Sequence, residues 1–364
     1  MLSIYGKKSP KGSFCDGISR RGVLKIGALG FGAFGLNMAD ILRAESKTGT
    51  SMKHKAVINI FLGGGPPHQD MWEIKTEAPK EIRGPFKPIS TSVPGVQIGE
   101  CFPKIAQIMD KSTVLRAVVG CEGRHDSFQC MTGFRHAQMR ALGGHPALGS
   151  VLHKLQGPVD PSVPPYIGMK TDGVWRNPGT PGFLGAAYAP FIPDGQGLAD
   201  MKLTGITTDR LADRKAVLQS FDRLKTSIDA TGQLEGLVRH HGTRIDQAVA
   251  ALVTDLEERG MLDNVTVLVW GEFGRTPRIN ANGGRDHWPQ VSCAYMAGGG
   301  MKNGQAIGST NRLGEHAHSR PVDVQEIFAT VYHNLGIDTS ATTVVDPTGR
   351  PQYLTQMNPI SELV

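Results

Sequence analysis

Apolar runs rich in β-branched residues alternate along this chain with stretches of helical spacing. Four runs predict the strands of a sheet: Ala56–Leu62, Ser112–Val119, Val265–Trp270 and Val291–Met296. Helical spacing predicts long helices over Leu211–Ile228, Leu234–Met261 and Val322–Leu335, and shorter ones over Phe102–Met109 and Phe128–Thr132. Strands that alternate with helices in this way are typical of an α/β fold with a mostly parallel sheet.

Chemically active side chains follow three of the predicted strands. They are His68 and Asp70 after the first, Arg124, His125, Asp126 and Ser127 after the second, and Glu272, Arg275, Asp286 and His287 after the third. Ligands of open α/β sheets bind beyond the carboxyl ends of the strands, so we expect these side chains to lie close together. Carboxylate and imidazole groups suit zinc, manganese or calcium. The predicted divalent metal site draws on His68, Asp70, His125, Asp126, Glu272, Asp286 and His287.

The same residues allow a plainer interpretation. Glu272 would pair with Arg275, and Asp286 with Arg285, as ordinary charges of a surface loop. The three glycines Gly63–Gly65, which follow the first strand, let the backbone approach a ligand or another chain closely. Their spacing matches neither a dinucleotide fingerprint nor a phosphate loop.

Ser127 lies next to the start of the predicted helix Phe128–Thr132. Backbone N–H groups at a helix start stabilise a phosphate or sulfate group and lower the cost of ionising a nucleophile. Ser127 is therefore the candidate nucleophile, and Arg124 and Arg275 are the candidates for neutralising charge that develops on the substrate. The alternative is that Ser127 caps the helix, which is a common local role for serine.

Charge and cysteine content narrow the choice of partners. The formal net charge of +6 is concentrated in residues 1–46, which contain seven basic and three acidic residues. No basic stripe with interleaved aromatic residues remains in the rest of the chain, so nucleic acid is not an expected partner. The five cysteines form no CxxC pair. Four of them could form two disulfide bridges in an oxidising compartment, with three possible connectivities, but we expect buried free thiols.

Residues 1–46 predict an export signal. Arg20 and Arg21 lie in the twin-arginine pattern SRRGVLK, and an apolar run rich in Gly and Ala follows over Ile26–Leu36. That run is too short for a stable membrane span, which needs about 20 apolar residues. We expect the twin-arginine translocase to deliver the chain to the periplasm or the exterior, and residues 47–364 to form one domain. A cytosolic amphipathic helix or a retained membrane anchor is the alternative.

Several long motifs resemble the exported family called domain of unknown function 1501. They are SRRGVLK, FLGGGPPHQDMWE, EIRGPFKPI, RHDSFQCMTG, PGFLGAAYAPF, DLEERGMLDNVTVLVWGEFGRTPRIN and GGRDHWP, and they cover nearly the whole chain. This family is similar to the alkaline phosphatase and sulfatase superfamily. The resemblance implies a three-layer α/β/α sandwich that hydrolyses phosphate or sulfate esters, of small molecules or carbohydrates, with a divalent metal.

The resemblance also implies roles for particular residues. Glu272 stands where the superfamily has a metal-binding aspartate and Phe273 where it has a histidine, so Asp286-His287 would supply the missing imidazole. Thr132-Gly133 resembles the pair that follows the sulfatase nucleophile, which places that position near Ser127. A Cys-x-Pro-x-Arg motif is absent there, so a formylglycine nucleophile is not expected.

One segment typical of the family is missing from this chain. Family members carry a long insertion with a Trp-Asp-x-His motif between the helix that ends near Ile228 and the helix that starts near Leu234, whereas here only residues 229–233 lie between them. Either activity is lost, or histidines such as His240, His241, His316 and His318 replace the lost ligands, or the gene product is internally deleted. Two hypotheses follow: an exported metal-dependent hydrolase, or a non-catalytic exported binding or scaffold protein.

Overall fold

The structure is a computed structural model that describes residues 55–169, 179–193 and 234–364. The predicted export signal at 1–46, the predicted helix Leu211–Ile228 and the shortened junction at 229–233 lie outside the described residues. Within the described ranges, no helix is both long and apolar enough to cross a membrane.

The described residues form strands β1–β14 and helices α1–α7. The strands are β1 Ala56–Phe61, β2 Pro88–Ser90, β3 Gln97–Gly99, β4 Ser112–Val119, β5 Val265–Trp270, β6 Gly274–Arg275, β7 His287–Trp288, β8 Ser292–Gly298, β9 Gln305–Ile307, β10 Ser309–Thr310, β11 Ala317–Ser319, β12 Val322–Asp323, β13 Thr343–Val345 and β14 Pro351–Tyr353. The helices are α1 His68–Met71, α2 Lys80–Arg83, α3 Pro103–Gln107, α4 Phe128–Thr132, α5 Leu148–Gln156, α6 Leu234–Glu258 and α7 Val324–Asn334.

The central sheet has the strand order β1-β5-β8-β4-β12, and β9 pairs with β4 beside β12. Strand β8 runs antiparallel to both of its neighbours, β5 and β4. The pairs β1 with β5, β4 with β9 and β4 with β12 are all parallel. The predicted α/β fold with a mostly parallel sheet is therefore confirmed.

The register brings three loops to one edge of this sheet. Phe61 at the end of β1 lies opposite Trp270 at the end of β5. Val118 near the end of β4 lies opposite Ser292 at the start of the antiparallel β8. The loops that follow β1, β4 and β5, together with the loop that enters β8, therefore meet at the edge where the sequence predicts the site.

Both faces of the sheet are covered by apolar side chains. Successive residues of a strand point to opposite faces. Val267 and Val269 accordingly belong to one buried cluster, which contains side chains of α3 and α6, whereas Leu268 and Trp270 belong to a second cluster, which contains side chains of α5 and α7. This double coverage explains why β5 has the mostly apolar sequence from which it was predicted.

Two stretches contribute more to the core than their composition predicts. Residues 73–103, rich in Pro, Gly, Ser and Thr, are expected to be an irregular surface segment, but they contain α2 and the hairpin β2–β3, and Phe86 and Ile98 are buried. Residues 143–200 are expected to wrap the surface, yet α5 lies within them and buries Leu148 and Val151. Tertiary contacts determine the burial of these side chains, and a local sequence pattern does not reveal such contacts.

Buried histidines predict that stability falls in mild acid. His145 is stacked on Phe134 with ring centroids 3.6 Å apart, and burial lowers the pKa of His145 to about 4. Burial likewise lowers the pKa of His68 to about 3. The unfolded chain binds both protons near pH 6.5, so the contribution of these two histidines to the free energy of unfolding should decrease as pH falls from about 6.5 to about 4, by up to about 1.4 kcal/mol per pH unit for each proton.

Urea unfolding of His145→Phe between pH 7 and pH 4 measures the contribution of His145. The phenyl ring preserves the stack and cannot titrate, so the pH slope should be smaller than in the wild type. His240→Gln, which changes an exposed histidine of α6, should leave the slope unchanged. Equal slopes in His145→Phe and the wild type would show that His145 does not contribute.

Candidate functional site

The carboxylate of Glu272 lies at the centre of the site, directly after β5. Its side chain is 2 % exposed. Oε1 accepts a hydrogen bond from the N–H of Gly64 at 2.7 Å, and Oε2 accepts one from the N–H of Gly65 at 3.2 Å. Two successive backbone N–H groups that point at one anion form a favourable binding concavity. We call these two N–H groups the glycine cradle.

The glycine cradle depends on backbone conformations that favour glycine. Gly64 has φ of 99° and Gly65 has φ of 76°, both in the left-handed region. A Cβ atom on Gly65 would lie 2.5 Å from the ring of Phe273. The sequence suggested that the glycine run approaches a ligand or another chain. In the structure it approaches a carboxylate of the same chain, that of Glu272.

Two imidazole rings lie beside Glu272. His125, in the loop after β4, has Nδ1 3.3 Å from Oε1 of Glu272. The rings of His125 and His287 are nearly perpendicular, with centroids 4.0 Å apart. Phe273 is fully buried, and its ring centroid lies 5.2 Å from that of His125 and 4.2 Å from that of His287. We call Glu272, His125, Phe273 and His287 the Glu272 cluster.

Burial changes the protonation of the Glu272 cluster. Burial raises the pKa of Glu272 to about 7, and the glycine cradle and the charge of Arg275 oppose this rise. Burial and the charge of Arg275 lower the pKa of His125. The pKa of His287 is lowered by its partial burial and by His125 and Arg275, while Asp286 opposes the change. Imidazole nitrogens that are neutral near pH 7 can accept a proton or bind a cation.

Arg275 contacts the carbonyl oxygens of the same two glycines whose N–H groups form the glycine cradle. Its guanidinium donates to the carbonyl oxygens of Gly64 and Gly65, and to that of Arg285 at 2.8 Å. The ion pair of Glu272 with Arg275, which the plainer interpretation requires, is therefore replaced by these carbonyl contacts. The contacts support a positioning role for Arg275, whereas the sequence predicted that it neutralises charge on the substrate.

Asp70, predicted as a metal ligand, lies in a buried ion pair with Arg285. Nε of Arg285 donates to Oδ2 of Asp70 at 2.7 Å and Nη2 donates to Oδ1 at 2.8 Å, and both side chains are fully buried. Burial raises the pKa of the Asp70 carboxyl, and the guanidinium opposes that rise. Both oxygens of Asp70 are thus engaged away from the Glu272 cluster. Arg285 does not pair with Asp286, so this part of the plainer interpretation is wrong.

His68, a second predicted ligand, is also engaged elsewhere. Its ring is completely buried, and Nε2 lies 3.0 Å from the carbonyl oxygen of Gly314. The neighbouring side chain of Gln69 donates to the carbonyls of Arg275 and Thr276. Helix α1 therefore holds the end of β6 and the loop between β10 and β11 in place, and no contact joins His68 to Glu272 among the described residues.

The remaining predicted residues lie around the start of α4. Asp126 accepts a hydrogen bond from the N–H of Phe128 at 3.2 Å and pairs with Arg124 at 2.9 Å. Ser127 occupies the cap position of α4, is almost completely buried, and makes no side-chain capping bond to the helix. Asp126 therefore takes the capping role that the sequence offered to Ser127. Arg124 is mostly exposed.

Asp286 lies on the exposed side of its loop. Its Oδ1 accepts a hydrogen bond from the side chain of Asn280 at 3.1 Å, and its backbone N–H donates to Thr276. Its neighbour His287 begins the short strand β7, which pairs with β6. His287 contacts His125 and so joins the Glu272 cluster, whereas the Asp286 side chain is held by Asn280.

The structure therefore unites three of the seven predicted ligands. Glu272, His125 and His287 come from separate loops and offer one carboxylate and two imidazoles. Among the described residues, no group of three or more His, Cys, Asp or Glu side chains is arranged to hold a metal ion. The sequence analysis missed the glycine cradle and the ion pair of Arg285 with Asp70. One signal could have revealed the cradle: three glycines follow β1, and a carboxylate follows the neighbouring strand β5.

Comparisons with known proteins identify a family. Residues 54–240 and 228–364 match the family described as "Protein of unknown function (DUF1501)". The two matched stretches overlap at 228–240, which includes the junction where the resemblance indicates a missing segment. No curated protein sequence matches the chain.

The solved structures to which the chain is similar include two crystal structures of Ps i-CgsB, and both likenesses are weak. One is 11 % identical over 79 % of this chain and 73 % of that chain, with a TM-score of 0.38. The other, in complex with k-i-k-neocarrahexaose, is 11 % identical over 65 % of this chain and 67 % of that chain, with a TM-score of 0.34. These scores support no statement about function. Because the two family matches together span residues 54–364, the chain belongs to the family described as "Protein of unknown function (DUF1501)".

Proposed function

We propose that this chain is an exported metal-dependent hydrolase of phosphate or sulfate esters, with the Glu272 cluster as its reactive centre. The observation that carries the proposal is the convergence of Glu272, His125 and His287 from three loops at one edge of the sheet. Ligand sites of open α/β sheets lie at this edge. The proposal includes the alkaline phosphatase-like three-layer sandwich and twin-arginine export, which the sequence resemblance implies.

The donor types of the Glu272 cluster, one carboxylate and two imidazoles, are those that bind a divalent metal such as zinc. Two ligands of one tetrahedral zinc ion, each about 2.0–2.1 Å from the metal, lie about 3.3 Å apart. Nδ1 of His125 and Oε1 of Glu272 are separated by 3.3 Å, and His287 would supply the third donor. A bound divalent cation would supply Lewis acidity to an ester oxygen.

The surrounding residues would bind and orient the ester. The glycine cradle and Arg275 fix the carboxylate of Glu272, so the centre needs little rearrangement when substrate binds. Arg124 is exposed, and its guanidinium would neutralise charge on the phosphoryl or sulfuryl oxygens. Ser127, buried at the start of α4, is the proposed nucleophile, and a water molecule is the alternative nucleophile. The substrate would be a small-molecule or carbohydrate ester.

A specific observation favours a second function, that of a non-catalytic exported binding or scaffold protein. Phe273 is fully buried against both imidazoles, at the position where the resemblance expects a metal-binding histidine. The family match also divides near the junction at 229–233. Elemental analysis of the purified chain separates the two: a stoichiometric divalent metal supports the hydrolase, and a folded metal-free protein supports the scaffold.

Removal of a donor from the Glu272 cluster should remove both metal and stability. Binding stabilises a fold by RT ln(1 + [L]/Kd), about 4 kcal/mol when the metal is at a thousand times its Kd. The wild type should therefore lose melting temperature on chelation. Glu272→Gln and His287→Ala should begin with a low melting temperature and respond little to the chelator, as measured by thermal unfolding and metal analysis.

His333→Ala provides the control for this experiment, because His333 is exposed and belongs to α7, outside the Glu272 cluster. It should bind metal and respond to the chelator as the wild type does. If Glu272→Gln and His287→Ala also melt like the wild type with the same response to chelation, the two residues are not metal ligands.

Ser127→Ala should remove nearly all hydrolysis of aryl phosphate or aryl sulfate esters if Ser127 is the nucleophile. The melting temperature should stay within a few degrees, since Ser127 makes no side-chain capping bond to α4 and Asp126 supplies the cap. Ser150→Ala, which truncates a completely buried serine of α5, should keep full activity. Full activity of Ser127→Ala would transfer the role to water or to another residue.

Export can be tested separately with Arg20→Lys combined with Arg21→Lys. These arginines lie outside the described residues and form the recognition pair of the predicted signal. The double variant should accumulate as precursor in the cytoplasm, whereas Lys7→Gln with Lys8→Gln should be exported. Cell fractionation measures both, and unchanged export of the arginine variant would refute the signal.

A further inference from the structure

A cavity of about 470 Å³ lies between α5 and the hairpin β13–β14. Its lining includes Lys154 and Leu155 of α5, Phe183 and Tyr188 of the following segment, and Val344 and Val345 of β13. This volume lies within the range of small-molecule sites, about 300–1,000 Å³. The cavity, which we call the α5 pocket, shares no lining residue with the Glu272 cluster.

The α5 pocket has an apolar interior and an apolar mouth. Phe183 and Val344 are buried and form part of the core cluster that contains α5 and α7. Leu155 and Val345 also line the cavity but are 37 % and 60 % exposed. Large apolar side chains that remain exposed around a concave surface are typical of a binding site. The walls therefore favour an apolar ligand body.

Lys154, the cationic lining residue of the α5 pocket, offers hydrogen-bond donors. Nζ of Lys154 donates to the hydroxyl of Tyr188 at 3.0 Å and lies 5.0 Å from the ring centroid. An ammonium group has three N–H donors, and no ion pair of Lys154 with a carboxylate occurs among the described residues. The ammonium group of Lys154 therefore retains N–H donors for a ligand at the mouth of the pocket.

The other charged lining residue, Asp346, is already satisfied by its own turn. Its carboxylate accepts hydrogen bonds from the N–H and hydroxyl of Thr348, the N–H of Arg350 and the side chain of Gln352. These bonds lower the pKa of Asp346 to about 2. Because four donors surround this carboxylate, it has little capacity left for a ligand donor.

We propose that the α5 pocket binds an amphipathic anion, with an aromatic or branched aliphatic body against Phe183, Val344 and Val345 and a sulfonate, sulfate or carboxylate on Lys154. Tyr188 would hold the ammonium in place through its hydroxyl and the face of its ring. This site is independent of the ester hydrolysis proposed for the Glu272 cluster, and either can fail without the other.

Two fluorescent probes test both halves of this proposal. The sulfonated probe 8-anilinonaphthalene-1-sulfonate should bind the full chain saturably and with one-to-one stoichiometry. The uncharged probe N-phenyl-1-naphthylamine has the same apolar body without the sulfonate and should bind more weakly. Lys154→Met keeps most of the apolar stem and removes the charge, so it should weaken the sulfonate about tenfold and leave the neutral probe unchanged.

A charge placed at the apolar mouth provides the second variant. Val345→Glu should weaken the sulfonate about tenfold or more, since like charges repel in a partly desolvated site. Val159→Glu is the matched control, because Val159 is 67 % exposed and lies outside the pocket; it should bind as the wild type does. Circular dichroism and the melting temperature verify that each variant is folded, and Leu155→Gln replaces Val345→Glu if that variant is not.

Three results would overturn the proposal. The first is absence of saturable probe binding to the wild-type chain. The second is an unchanged affinity of Lys154→Met for the sulfonate. The third is equal weakening by Val345→Glu and Val159→Glu, which would show nonspecific repulsion at the surface rather than a defined pocket.

Discussion

The buried ion pair of Asp70 with Arg285 holds the two halves of the site together. Asp70 belongs to α1 after the first strand, and Arg285 lies in the loop after β5, so the pair joins residues 215 positions apart. The same guanidinium donates to the carbonyls of Ile82, Thr276 and Pro277. Loss of one partner from a buried pair costs about 3–5 kcal/mol. Because His287 follows Arg285 by two residues, the pair also determines where that imidazole lies.

The Asp70–Arg285 ion pair is connected to the Glu272 cluster through the backbone, because the guanidinium of Arg275 donates to the carbonyl oxygen of Arg285. Arg275 donates to the carbonyls of Gly64 and Gly65, while the N–H groups of the same glycines face Glu272. One short loop thus connects a cation on one side to a carboxylate on the other. Since glycine alone adopts both left-handed conformations without strain, a side chain at Gly65 would disturb both contacts and displace Phe273.

The sequence predicts the frame of this protein well because the frame is periodic. Strands β1, β4 and β5 and helix α4 begin and end within one residue of their predicted bounds, and parallel pairing explains why the loops meet at one edge. The choice of ion-pair partner for a charged side chain follows no such periodic pattern. Arg285 could pair with its neighbour Asp286 or with distant Asp70, and only the packing of α1 against the loop decides. The core contribution of Phe86 and Ile98 was missed for the same reason.

The two buried carboxylates of the site differ in how their burial is compensated. Asp70 receives a bidentate guanidinium, which balances its charge and is sufficient to explain it as a structural residue. Glu272 receives only backbone N–H groups and an imidazole, and burial raises its pKa to about 7. A carboxyl group buried without a cationic partner lowers stability relative to an apolar residue of similar size. Stability therefore accounts for Asp70 and leaves Glu272 unexplained, and this contrast supports a chemical role for Glu272 beside His125 and His287.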